Sequence, residues 1–201
     1  GQQAATEWTD AGLCPAPMRF HGHARATAGT PVSSRRTAPM VEQIVLPDTT
    51  DRAALYDALI PQMQALLAGE RDLVAAMANF CAAVQQAFHW HWAGFYRVVG
   101  GQLVLGPFQG PVACSPIGHG KGVCGTAWAR NEVITVPDVD AFPGHIACSS
   151  ISKSEIVVPL HGQSGAVAAV FDVDSDRLND FGPADERGLY RLCQLIEPLL
   201  P

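Results

Sequence analysis

Apolar residues recur at helical spacing after Asp51: Leu55, Leu59, Met63, Leu66 and Leu67 share one face. Asp51 reads as the N-cap, Gly69 as the stop, and Pro61 predicts a kink between them. The pattern repeats from Arg71 to Phe88, with Leu73, Met77, Phe80, Cys81 and Val84 in one row. The period then falls to two. Ala93 to Val99 and Gln102 to Gly106 read as strands, joined by the hairpin signal Gly100-Gly101. Cys114 to Asn131 is glycine-rich and then helical, and Glu132 to Val136 is a short strand. Pro137 to Ser154 has no period of its own, and a loop that long in a small domain usually serves function. Glu155 to Leu160 and Ala166 to Val173 form a second hairpin around Gly162 to Gly165. Pro183 opens a last helix, with Asp185 and Glu186 favourably placed in its first turn, that ends near Leu195. Hairpins followed and preceded by helices predict an α+β domain: a central antiparallel sheet with helices packed on it.

Residues 1–40 lie outside this pattern. Met18 to Met40 holds Arg19, Arg25, Arg35 and Arg36 among Ser, Thr, Ala and Pro, with no acid and no apolar period. Such a segment cannot bury enough apolar surface to order itself, so it is expected to be a disordered N-terminal extension. Arg/Ser-rich, acid-poor composition also suits an organelle transit segment. The plainer reading is a stretch added or wrongly assigned to the start, since Gly1 is not Met and Met40 opens an ordinary globular sequence. The folded unit is expected over residues 41–201.

Charge narrows the partners. Four Arg and two acids lie in the first 40 residues, which leaves 9 basic and 17 acidic residues in the rest. A net-acidic domain has no electrostatic pull towards nucleic acid or anionic lipid. No apolar run approaches the roughly 18 residues of a membrane span. A chain of 201 residues, 48% apolar, does not need disulfide staples, and no secretory signal is present. The six cysteines therefore suggest a reducing, cytoplasmic setting with structural, metal-binding or catalytic thiols.

Cys81 and Cys193 sit in apolar helical rows and read as core. Cys114, Cys124 and Cys148 stand among Gly, Ser, Pro and Ala, outside such rows. Cys124 falls at a helix start near Lys121 and His119, where the helix dipole and the cations are expected to lower its pKa. Cys148 follows His145 by three residues. Zinc is the competing chemistry, with Cys114, Cys124, His145 and Cys148 as a nominal ligand set. No C-x-x-C pair supports it, and the ten-residue gap from Cys114 to Cys124 is unlike a finger or ribbon. Nothing resembles the nucleophile elbow or papain-like signature of a hydrolase.

The run AVAAVFDVDS places Asp172 and Asp174 on one face of a strand, with Ala166, Ala168 and Val170. Val167, Ala169, Phe171 and Val173 form the other, apolar face. Glu155 begins the partner strand. Acids gathered at a half-buried sheet repel one another unless a cation joins them, either a metal ion or an organic ammonium. Ala166 and Ala168 would leave room for a ligand, and Trp92, Phe95 and Tyr96 would wall it. Thiols beside an ammonium pocket point to an amino acid whose side chain a thiolate reduces.

The segments WAGFY (Trp92 to Tyr96), LVLGPFQG (Leu103 to Gly110), GKGVCGTAWARNE (Gly120 to Glu132), FPGHIAC (Phe142 to Cys148), SEIVVPL and VFDVDS together resemble the free methionine-(R)-sulfoxide reductases, single-domain GAF proteins. The resemblance spans about residues 50 to 200, and the thiol spacing of 10 and then 24 matches the three-cysteine form. It implies the GAF fold and reduction of free L-methionine (R)-sulfoxide without metal or organic cofactor. The family pattern makes Cys148 the nucleophile and Cys114 its resolving partner, with a catalytic or resolving role for Cys124 left open. Glu155, Asp172 and Asp174 match acids that bind the substrate amino group, and Trp92 and Tyr96 match aromatic pocket positions. A dithiol such as thioredoxin would recycle the enzyme. The hairpin HGQSGAVAA is one residue longer than the family pattern, which should alter a turn and not the site. The rival class is a ligand-binding or redox-sensing GAF module without turnover, which would normally adjoin an output domain. Self-association, as a homodimer for instance, is left open by the sequence.

Overall fold

Asp51 and Asp72 start the first two helices by the same device. Each carboxylate accepts a backbone N–H of the first turn, from Ala53 at 3.0 Å and from Ala75 at 2.9 Å, and so satisfies a donor with no partner inside the helix. In the computed structural model, which describes residues 43–146 and 149–201, these helices are α1 (Arg52–Leu67) and α2 (Leu73–Phe88). Pro61 lies inside α1, and the helix continues through it to Leu67. The elements that follow are β1 (Trp92–Val99), β2 (Gln102–Gln109), β3 (Ile117–Gly118), α3 (Gly122–Arg130), β4 (Ile134–Val136), β5 (Ser154–His161), β6 (Val167–Ser175) and α4 (Pro183–Cys193). The six strands form one antiparallel sheet in the order β3-β2-β1-β6-β5-β4. The predicted α+β architecture is the observed one. The segment 1–40, with its expected disorder, lies outside the described residues.

Gly100 and Gly101, at φ +58° and +76°, supply the two left-handed residues that a tight β1–β2 turn requires. Beyond the expected elements the chain makes β3, two residues that pair with Gln102 and Leu103. So short an element carries no period, and only the neighbouring edge of β2 makes it a strand.

The sheet separates two cores. On one face Phe95, Ile156, Val158, Leu160 and Phe171 meet α1, α2 and α4. Phe80 of α2 contacts Phe95 and Phe171 edge-on, with centroids 5.2 and 4.9 Å apart. Cys81 and Cys193 are buried in this core, as their helical rows predicted. Asp185 is buried here too. It accepts from Tyr56 OH at 3.0 Å and from the α4 N-cap Gly182 N–H at 3.0 Å, and pairs with Arg52, so one carboxylate ties α1 to the start of α4. On the other face Trp92, Tyr96, Leu103, Val157 and Val170 meet α3. Among the described residues no helix is long and apolar enough to cross a membrane.

β6 departs from the expected alternation at its start. The β5–β6 register shifts between Leu160 and His161, where Ala168 is passed over and His161 pairs with Val167. Ala168 therefore packs against the helix-side core and Val167 against the α3 side, the reverse of a regular strand. Past the shift, Ala169, Phe171 and Val173 face the helices, while Val170 belongs to the core on the α3 side.

Candidate active site

The α3 face of the sheet does not close over completely. It leaves a cleft of about 590 Å³ including its mouth, between β1, β5 and β6, the start of α3, residues 111–117 and the loop before β5. Trp92 and Tyr96, four apart on β1, line one wall, their rings stacked at 5.9 Å. Both are pinned by their polar ends: Trp92 Nε1 donates to Pro111 O at 3.1 Å and Tyr96 OH to Cys114 O at 3.0 Å. Phe95, expected in this wall, points to the helix-side core because it is the odd neighbour in the strand. Ala166 and Ala168, expected to make room for a ligand, do not line the cleft. The register shift turns Ala168 to the other face.

Glu155, Asp172 and Asp174 all line the cleft. Glu155, the second residue of β5, lies directly opposite Asp174, and Asp172 lies opposite Val157, so the sheet register brings the three acids together. Glu155 and Asp172 are buried, at 6% exposure each. Burial pushes the Glu155 carboxyl well above its usual range, and the charges of Asp172 and Asp174 push it further. Burial does the same to Asp172, again with help from Asp174. Asp174 rises to about 6 by burial, partly offset by a hydrogen bond with Ser152 and by the charge of His91. Three acids that resist ionisation side by side in one cleft make a receptor for a cation, whose charge would let them ionise.

Cys124 differs from its sequence expectation. It is buried at 4% exposure within the α3-side core, and its pKa is raised, not lowered. Burial is the main cause, followed by the charges of Asp172 and Glu155, and these outweigh the helix start and Lys121. Its Sγ lies 4.0 Å from Glu155 Oε1. α3 can bring it there because Gly125 packs directly against the chain before it: a Cβ at that position would collide with the Gly118 carbonyl oxygen.

Cys114 is disulfide-bonded, and its carbonyl is the one that Tyr96 holds. None of the other described cysteines is its partner, since Cys81, Cys124 and Cys193 are free. Cys148 lies outside the described residues. Its neighbours Ile146 and Ser149 line the cleft, as does His145, whose Nε2 is 3.9 Å from Glu155 Oε2. His91 Nε2 lies 3.1 Å from Ser149 Oγ. Sequence reasoning missed His91, Ser152 and the apolar liners Ile117 and Val123. The only signal was the position of His91 one residue ahead of the aromatic strand.

The GAF-domain family model matches residues 70–200. GAF domain-containing protein A of Dictyostelium discoideum is 52% identical over 71% of this chain and 90% of its own length. The free methionine-R-sulfoxide reductase of Escherichia coli is 43% identical over 75% of this chain and 91% of its own. The structure of the Neisseria meningitidis free methionine-R-sulfoxide reductase in complex with its substrate superposes with a TM-score of 0.74 at 46% identity, covering 78% of this chain and 95% of that one. With a sheet, cleft and acid cluster of this kind, the chain belongs to the free methionine-(R)-sulfoxide reductase family of GAF-domain proteins.

Proposed function

We propose that this chain is an L-methionine (R)-S-oxide reductase that converts the free amino acid to methionine with its own thiols. The observation that carries this reading is the cluster of Glu155, Asp172 and Asp174 in one cleft, walled by Trp92 and Tyr96. The acids take the ammonium of the substrate, and the aromatic wall takes its side chain.

Cys148 is the nucleophile. Its thiolate attacks the sulfoxide sulfur, the oxygen passes to the cysteine as sulfenic acid, and methionine leaves. The Cys114 thiol then condenses with the sulfenic acid, releasing water and closing a disulfide. The disulfide at Cys114 supports this pairing, as does the position of Cys148 between Ile146 and Ser149, which both line the cleft. Cys124 is a poor nucleophile in this state, because a buried thiol beside carboxylates holds its proton. A dithiol protein such as thioredoxin reopens the disulfide by exchange, in keeping with a cytoplasmic setting. Residues 41–201 suffice for the whole cycle.

Selectivity for the free amino acid follows from charge. Methionine sulfoxide within a protein has an amide in place of the ammonium, and buried acids left without a cation make its binding poor. The test is turnover of free L-methionine (R)-sulfoxide against its N-acetyl form, with dithiothreitol as reductant. Losing one charge-assisted hydrogen bond costs roughly 10- to 150-fold in kcat/KM. Comparable rates on the two substrates would refute the role given to the acids. Oxidation without repeated turnover would favour a sensing module.

A further inference from the structure

The closed end of the cleft contains more than an ammonium needs. Cys124 offers a sulfur, and Glu155 and Asp172 each offer a carboxylate oxygen. The three ligand atoms lie within 4.8 Å of one another, and all three residues are buried. A protonated amine is recognised by oxygen acceptors alone, so the thiol has no use in holding it.

Asp172 gives the second observation. The residue is 6% exposed and lines the cleft, yet its Oδ1 has no hydrogen-bond partner among the described residues. A buried carboxylate oxygen without a partner is costly to keep. Two carboxylates and a sulfur converging on one point form the donor set that a thiophilic divalent ion takes. We propose that Cys124, Glu155 and Asp172 form an inhibitory binding site for such an ion, with zinc as the cellular candidate.

The geometry needs little adjustment. Zinc bound at about 2.3 Å from sulfur and about 2.0 Å from oxygen separates the two ligands by roughly 3.5 Å in a tetrahedron. Cys124 Sγ and Glu155 Oε1 stand 4.0 Å apart, so a rotation of either side chain closes the gap. The fourth position falls to water or to His145, whose Nε2 is 3.9 Å from the other Glu155 oxygen. Binding takes the thiol proton off Cys124 and releases it to solvent. The bound ion occupies the two carboxylates that the substrate ammonium needs. Inhibition competitive with methionine sulfoxide therefore rests on the proposed function, whereas ion binding itself does not.

The test uses cadmium chloride, a spectroscopic stand-in for zinc, on the full chain with the Cys114 disulfide closed; among the described residues that line the cleft, Cys124 is the free thiol. One cadmium per chain should bind with the ultraviolet charge-transfer band of a cadmium thiolate. Cys124→Ser, nearly isosteric, should abolish the band. Asp172→Asn keeps the thiol and should weaken cadmium binding roughly tenfold or more. No band, a band that survives in Cys124→Ser, or unchanged affinity in Asp172→Asn would each overturn the site. The titration involves no turnover, so its outcome is independent of whether the chain reduces methionine sulfoxide.

Discussion

A cysteine's neighbours in space, not in sequence, decide what its sulfur does. Cys81 and Cys193 are sealed in the helix-side core, where burial raises both thiols. Cys193→Ser puts a hydroxyl into apolar surroundings and should cost about 1–3 kcal/mol in denaturant unfolding with catalysis retained. Cys81→Ser should cost less, because the Pro107 carbonyl that accepts from the thiol at 3.3 Å can accept from the hydroxyl. Cys148→Ser should instead abolish turnover, measured with dithiothreitol as reductant. Full activity in Cys148→Ser, with activity lost only in Cys124→Ser, would transfer the nucleophile to Cys124. The acids could be read from the sequence because a period of two puts Asp172 and Asp174 on one side by necessity. The pKa of Cys124 could not, because its burial and the carboxylates of Asp172 and Glu155, the latter 31 residues away, arise only through the sheet. The cues within its own helix pointed the other way.

Elements came through where a local rule decides them. Carboxylate caps start α1 and α2, and paired glycines turn β1 into β2. They were lost where a partner decides. β3 exists only against the edge of β2, and the face of Ala168 depends on a register shift that its own strand does not announce. Helix propensity and packing disagree in an instructive way at Gly188. Alanine there favours the helix by about 1 kcal/mol. A Cβ, however, would collide with the Tyr56 ring, which is buried and holds Asp185 through its hydroxyl. Overpacking of this kind costs about 1–3 kcal/mol, so packing should prevail. Gly188→Ala should lower the thermal midpoint of unfolding, and a rise would show that Tyr56 can move aside without loss.

Over the whole molecule the acid cluster ties stability to pH. Asp174 has a folded pKa of about 6 against an ordinary 3.8, so the folded state binds its proton more tightly than the unfolded chain does. Its contribution is fully present below about pH 4 and is lost as pH rises through about 6. The two-unit shift amounts to on the order of 2–3 kcal/mol. Asp174→Asn removes this dependence, so the variant should gain stability relative to the unmodified chain between pH 4 and 7 in urea titrations. A constant difference across that range would rule out the linkage. The same sheet that collects these acids also separates them from the helix-side core, with Phe171 on one side and Asp172 on the other. The strand is therefore bound by a rule of parity. One residue added at Gln163 or Ser164, in the turn outside the paired strands, leaves odd and even positions where they are. One residue added between Val170 and Asp172 exchanges them and sends carboxylates among phenylalanines. Natural variation in the length of this hairpin should gather at the turn and spare the last half of the strand.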